Sequence, residues 1–84
     1  MSIPKVSIEQ VKAARALLRW SQNDLAQASG ISVPTIKRLE AAVGEIGGRA
    51  ETAYAICTAL ETAGVEFIAE NGGGAGVRLK KVAS

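Results

Sequence analysis

Lys37 and Arg38 stand in a stretch, 25–39, that holds no acidic residue. Paired cations without a local counter-anion suit hydrogen bonding to phosphates and to guanine edges. They belong to the run 21–40, Ser-Gln-Asn-Asp-Leu-Ala-Gln-Ala-Ser-Gly-Ile-Ser-Val-Pro-Thr-Ile-Lys-Arg-Leu-Glu. Its spacing predicts two short helices joined by a tight turn, the second with polar and basic residues on its outward face. Such a helix can probe a DNA groove. Enzyme chemistry has little to build on. The chain has no histidine and one cysteine, Cys57, and its acids do not form a clustered pair. No nucleophile and base set, zinc site or cofactor is therefore implied, and no intrachain disulfide can form.

The elements that must position this run can be read from caps and periodicity. Ser7 with Gln10 makes a capping-box pattern, and Ile8, Val11, Ala14, Leu17 and Leu18 then recur at helical spacing, giving a first helix over about 8–19. Ser21 caps a second, about 22–28, with Asp24 in its first turn, Leu25, Ala26 and Ala28 as its apolar stripe and Gly30 as its end. Ser32 caps a third, about 33–42, where Pro34 is tolerated in the first turn and Ile36 and Leu39 face inward. A glycine-bearing loop over 43–48 follows. Ala50, Ala53, Tyr54, Ile56, Cys57, Leu60 and Ala63 then predict a fourth helix over about 50–63, ended by Gly64.

Beyond Gly64 the period falls to two. Val65, Phe67 and Ala69 alternate with Glu66, Ile68 and Glu70, the stretch 71–74 can reverse the chain, and Val77 and Leu79 alternate with Arg78 and Lys80. A lone two-stranded ribbon is marginal in water, so it must pack on the helices or on another chain. The expected fold is mostly α: four helices with a short C-terminal β-hairpin. One domain is expected, with residues 1–6 as an N-terminal arm, 7–64 as the helical unit and 65–84 as hairpin and basic tail.

A chain of 84 residues holds one small core, which a partner subunit would help to stabilise. Its net charge of +2 does not by itself mark a polyanion binder, but the charge is segregated. Lys5, Lys12, Arg15 and Arg19 face Glu9 alone in 1–23, and Arg78, Lys80 and Lys81 have no acid in 71–84. No apolar stretch approaches the roughly 20 residues of a membrane span, and the start lacks the regions of a signal peptide. A soluble cytoplasmic protein is expected.

The run 21–40, with Arg15 before it, resembles the Cro/phage-repressor (XRE-type) family of helix-turn-helix transcriptional regulators. The matching residues are Arg15, Ser21-Gln22-x-Asp24-Leu25-Ala26, Gly30-Ile31-Ser32, Thr35-Ile36 and Leu39-Glu40, and the likeness covers about 8–64. It implies a compact helical domain whose third helix enters the major groove of a double-stranded DNA operator as part of a homodimer. It implies a phosphate-anchoring role for Gln22, and groove-facing positions for Ser32, Val33, Pro34, Thr35, Lys37 and Arg38. Arg38 would bind guanine O6 and N7, Lys37 a phosphate or guanine, and an exposed Val33 a thymine methyl. It also implies a partly buried salt bridge between Arg15 and Glu40, the rival being an Arg15 contact to phosphate. The family usually has glycine two residues after the Glu; here Ala42 stands there and Gly44 comes later, so the third helix is expected to run longer.

Trp20 reads as a packing residue or a stacking platform, and Cys57 as a buried core residue or a redox sensor. The segment 72–76 lacks the ending of a phosphate loop and reads as a hairpin turn. Arg78, Lys80 and Lys81 shield a sheet edge or add phosphate contacts. The leading function is a sequence-specific DNA-binding regulator, with Val65, Phe67, Val77 and Leu79 of the hairpin forming the dimer interface. The alternative is an antitoxin or anti-activator module whose hairpin binds a protein partner by strand addition.

Overall fold

A computed structural model of the chain describes residues 5–80. Most of the expected arm, 1–6, and the tail residues from Lys81 onward lie outside them. Four helices and one hairpin follow in order: α1 (Ile8–Leu18), α2 (Gln22–Ser29), α3 (Val33–Glu40), α4 (Ala50–Thr62), β1 (Val65–Ile68) and β2 (Gly76–Leu79).

The helix starts follow from local hydrogen bonds. Ser7 Oγ accepts the Gln10 N–H while Gln10 Oε1 accepts the Ser7 N–H, and Ser21 and Asp24 repeat this reciprocal arrangement. Ser32 caps α3, with Pro34 in the first turn. The ends differ more from expectation. α1 stops at Leu18 because Arg19 takes the left-handed conformation, φ 58°, with Trp20 N–H donating back to Arg15 O. α3 is shorter than expected and ends at Glu40. Ala41 and Ala42 make the last turn, Ala42 N–H donating to Leu39 O, and the left-handed residue arrives at Gly44, φ 84°. The Glu9 carboxylate accepts the Gly44 N–H and stabilises that turn.

The core joins Ile8, Val11 and Ala14 of α1, Leu25 of α2, Ile36 and Leu39 of α3, and Ile56, Cys57, Ala59 and Leu60 of α4. Val6 belongs to it as well, at 5 % exposure, because Ile46 N–H donates to Val6 O and ties the segment to the α3–α4 loop. Position 6 is thus core and not arm. Leu17 and Tyr54, expected on the buried stripes, are each 41 % exposed, and Trp20 packs half-buried against the core. Burial, with a smaller effect from Glu61, pushes the Cys57 thiol up to about 11, so it stays protonated and inert at neutral pH.

β1 and β2 pair antiparallel with Val65 opposite Leu79 and Phe67 opposite Val77. The hairpin lies on this chain's own helices, β1 against α1 and α4 and β2 against α1. Gln10 holds it there: its Nε2 donates to Ile68 O and Gly76 O at 3.2 and 2.9 Å, pinning the loop end of the ribbon onto α1. Among the described residues no helix is long and apolar enough to cross a membrane, and no group of potential metal ligands occurs.

Candidate nucleic-acid interface

α3 buries Ile36, Leu39 and Glu40, positions i, i+3 and i+4 of one face. At about 100° per residue that geometry turns Pro34, Lys37 and Arg38 to the opposite side, and all three are exposed. Ser32 is exposed at the N-cap, where its Oγ donates to Thr35 Oγ1 at 2.9 Å and accepts the Thr35 N–H. Thr35 and Val33 are half-buried, so Val33 is less open than the expected methyl-reading residue: three positions before Ile36 and seven before Glu40, it borders the buried face of the helix. Among the described residues neither Lys37 nor Arg38 forms an ion pair, which leaves both cations available to an anionic partner.

Arg38 and Thr35 also line a notch with Leu39, Gly48, Arg49 and Thr52, between α3 and the start of α4. Arg49 is the N-cap residue of α4 and makes no capping bond, so a second guanidinium sits beside Arg38 at a helix start. Sequence reasoning missed Arg49. The available signal was a cation placed directly after Gly47-Gly48 and before a helical stripe.

Behind the exposed face, three helices converge on Glu40. Arg15 of α1 donates from Nε to Glu40 Oε2 at 2.7 Å and from Nη2 to Oε1 at 2.6 Å. Its Nη1 donates to Trp20 O at 2.9 Å, so the guanidinium is occupied within the fold and does not reach outward to phosphate. Gln22, the first residue of α2, donates from Nε2 to Glu40 Oε1 at 3.0 Å, and Lys12 Nζ donates to Glu40 O at 3.4 Å. The Gln22–Glu40 bond was not foreseen, because a neutral amide carries no charge pattern to betray its partner. The ion pair is largely dry, with side-chain exposures of 18 % and 6 %.

Burial by itself would push the Glu40 carboxyl up. The hydrogen bonds from Arg15 and Gln22, with the charges of Arg15 and Lys12, outweigh it and hold the group below its ordinary 4.5. A carboxyl whose pKa is lower in the folded than in the unfolded chain contributes stability that is full above the unfolded value and lost as pH falls through the folded one. Below about pH 4.5 the wild type should therefore lose stability more steeply than Glu40→Gln, read as urea midpoints against pH. Parallel pH profiles would show that Glu40 is not held ionised by the fold.

The four hairpin residues expected at a dimer interface are not equivalent. Val65 is 0 % exposed in this chain's own core and cannot contact a second copy, because α1 and α4 already cover it. Phe67 and Val77 pack half-buried against the same core, and Leu79 is the exposed member at 49 %. Arg78 Nε donates to Glu66 Oε1 at 2.8 Å in a solvated cross-strand pair, so its charge is partly spent within the hairpin.

The geometry thus consists of a two-helix motif with its turn at Gly30, φ 76°, a solvated cationic face on the second helix, and a buried hub behind it. A family model described as helix-turn-helix matches residues 11–67, about two thirds of the chain and all of α2 and α3. A search of curated proteins found no match. The chain belongs to the XRE-type helix-turn-helix family, that of Cro and the phage repressors, and is a DNA-binding helix-turn-helix regulator.

Proposed function

We propose that this protein acts in the cytoplasm as a homodimer that reads a specific operator, with α3 in the major groove. The observation that carries the reading is the outward face of α3, where Lys37 and Arg38 project without acidic partners from a helix fixed on its other side by Ile36, Leu39 and Glu40. Arg38 faces guanine, Lys37 a phosphate or guanine, and Ser32, Val33, Pro34 and Thr35 line the approach at the helix start. At the start of α2, Ser21 and Asp24 satisfy each other's N–H groups, which leaves those of Gln22 and Asn23 to meet a phosphate. Arg49 adds a cation at the start of α4.

The dimer is inferred from the outer edge of β2, with which no strand among the described residues pairs. Lys80 N–H donates to Gly64 O, so by antiparallel alternation Glu66 and Arg78 form a hydrogen-bonded pair while the backbone groups of Val77 and Leu79 point away from β1. A second β2 can pair there, with Leu79 covered and Phe67 and Val77 at its border. An operator-reading dimer must present its α3 helices about one helical turn, 34 Å, apart, a span that two copies of a chain measuring 34 × 30 × 25 Å can bridge. The same open edge would accept a strand of another protein, which is how an antitoxin or anti-activator would be held.

Selection of bound sites from random duplex DNA tests this reading. The expected product is a pseudo-palindrome with half-site centres about 10 base pairs apart. A single asymmetric half-site would remove the dimer, and no enrichment at all would remove operator reading. On the selected duplex, Arg38→Ala should cost about 1–3 kcal/mol and relax preference at one base pair, as a lost bidentate contact does. Unchanged affinity and preference would take α3 out of the groove.

A further inference from the structure

Gln10 is the third residue of α1, and its side-chain oxygen accepts the Ser7 N–H as one half of a capping box. Either glutamate or glutamine serves that cap, since both present an oxygen at the same reach. They differ in the second terminal atom: glutamine has an NH2 group there with two hydrogens to donate, and an ionised glutamate has only another acceptor. In this chain that nitrogen donates to Ile68 O at 3.2 Å and to Gly76 O at 2.9 Å, so one residue of each strand is held by it. The side chain is buried, the residue being 6 % exposed, and water has little access to replace a lost donor.

We propose that Gln10 is a positioning residue for the dimer: glutamine, and not glutamate, is required at this cap because its amide nitrogen seats the hairpin on α1 and so fixes how the outer edge of β2 meets a second copy. A two-stranded ribbon is marginal by itself, and among the described residues these are the only side-chain hydrogen bonds from a helix to the hairpin. Their place on the ribbon matters as well. At its other end the ribbon continues directly from α4, with Val65 fully buried in the core. By the alternation that starts at Lys80 and Gly64, Ile68 and Gly76 are the last hydrogen-bonded pair before the loop 69–75. Gln10 therefore fixes the end that could otherwise swing about Val65, and Gly76, one of its two acceptors, is the first residue of the edge strand itself. The inference rests on the homodimer reading above and deepens it by naming the residue that orients the interface.

Residual dipolar couplings of the backbone N–H groups, measured on the full-length protein without DNA, test the seating. In the wild type, one alignment should describe the helices and the hairpin together. Gln10→Glu keeps the cap and removes the donor, so the couplings of Glu66, Ile68 and Arg78 should shrink toward a motional average while those of α1 to α4 keep the wild-type fit. Gln10→Met removes the donor without setting a charge beside the two carbonyls. It should loosen the hairpin equally and also fray the start of α1, seen at Val11, whose N–H donates to Ser7 O. Native hairpin couplings in both variants overturn the proposal.

Sedimentation and duplex binding then read the consequence for assembly. Gln10→Glu should raise the dimer dissociation constant about tenfold, the scale of a buried hydrogen bond whose acceptor is left unpaired. It should also blunt the preference for one half-site spacing on the selected duplex. Its affinity for a duplex with a single half-site should stay native, because α3 is untouched. A loosened hairpin with an unchanged dimer constant and unchanged spacing preference would overturn the positioning role, and an equal loss on the single half-site would make Gln10 a general stability residue. If the wild type sediments as a monomer at every concentration, the homodimer reading fails, and the couplings alone decide whether Gln10 seats the edge strand.

Discussion

Arg15→Ala is expected to remove about 3–5 kcal/mol of folding stability, because it leaves the Glu40 carboxylate buried without its cation. The reason is the dryness of the pair. Glu40 retains 6 % of its side-chain exposure and Arg15 18 %, so solvent cannot take over when one partner is deleted. Two further losses act in the same direction: Trp20 O loses its donor, and Gln22 alone cannot satisfy both carboxylate oxygens. A chain of this length has on the order of 4–13 kcal/mol to lose, so the single change removes a large share. Arg15→Met with Glu40→Leu should recover most of the deficit, since a hydrophobic pair avoids the desolvation cost that the ions carry. Urea titration of the three proteins measures all of this. A loss below about 1 kcal/mol for Arg15→Ala would mean that the pair behaves as a solvated surface bridge.

The same hub explains why the motif was legible while its bracing was not. Helix starts are written locally: Ser7 bonds to Gln10 and Ser21 to Asp24, three positions along, so the pattern is visible in any short window. Helix ends are not. Arg19 takes a left-handed conformation without being glycine, and the loop after α3 is held at Gly44 by the Glu9 carboxylate, 35 positions before it. The Arg15–Glu40 pairing was available only through resemblance to a family, since nothing in the spacing of positions 15 and 40 links them. Gln10 and Gln22 are the more instructive cases. Each is a neutral amide whose decisive partner is distant, 58 and 66 positions away for Gln10 and 18 for Gln22, and hydropathy cannot rank one glutamine above another.

The hairpin shows a different limit. Its period of two identified both strands, and the alternation put Val65, Phe67, Val77 and Leu79 on one face. Yet Val65 and Leu79, direct partners across the ladder, differ from full burial to half exposure. That gradient follows the helices beneath the ribbon, β1 packing on α1 and α4 and β2 on α1, a tertiary fact with no local signature. It moves the proposed interface from the whole apolar face to the outer edge of β2. The site residues fared similarly: Lys37 and Arg38 stood out because charge without a nearby acid is a one-dimensional signal, while Arg49 joins them only when α3 and α4 are folded together.

Leu25→Ala should sharply lower apparent DNA affinity at ordinary temperature, although Leu25 lies wholly in the core. It is 0 % exposed on α2, in the core shared by α1, α3 and α4, and no neighbour can be hydrated in its place. Removing its branched end costs about 2–5 kcal/mol in transfer and cavity energy, a large share of the stability of a domain this small. Apparent affinity then falls with the fraction that remains folded, not with any change in the contact surface. The two causes separate under an excluded osmolyte such as trimethylamine N-oxide, which favours the compact state. Helical circular dichroism and operator affinity of Leu25→Ala should recover together in it, with native base preference. Arg38→Ala, folded from the outset, should gain nothing. If Leu25→Ala regains its helices but still fails to bind, the core of α2 does more than hold the recognition helix in place, and the division between buried support and outward reading on which the site was built would have to be redrawn.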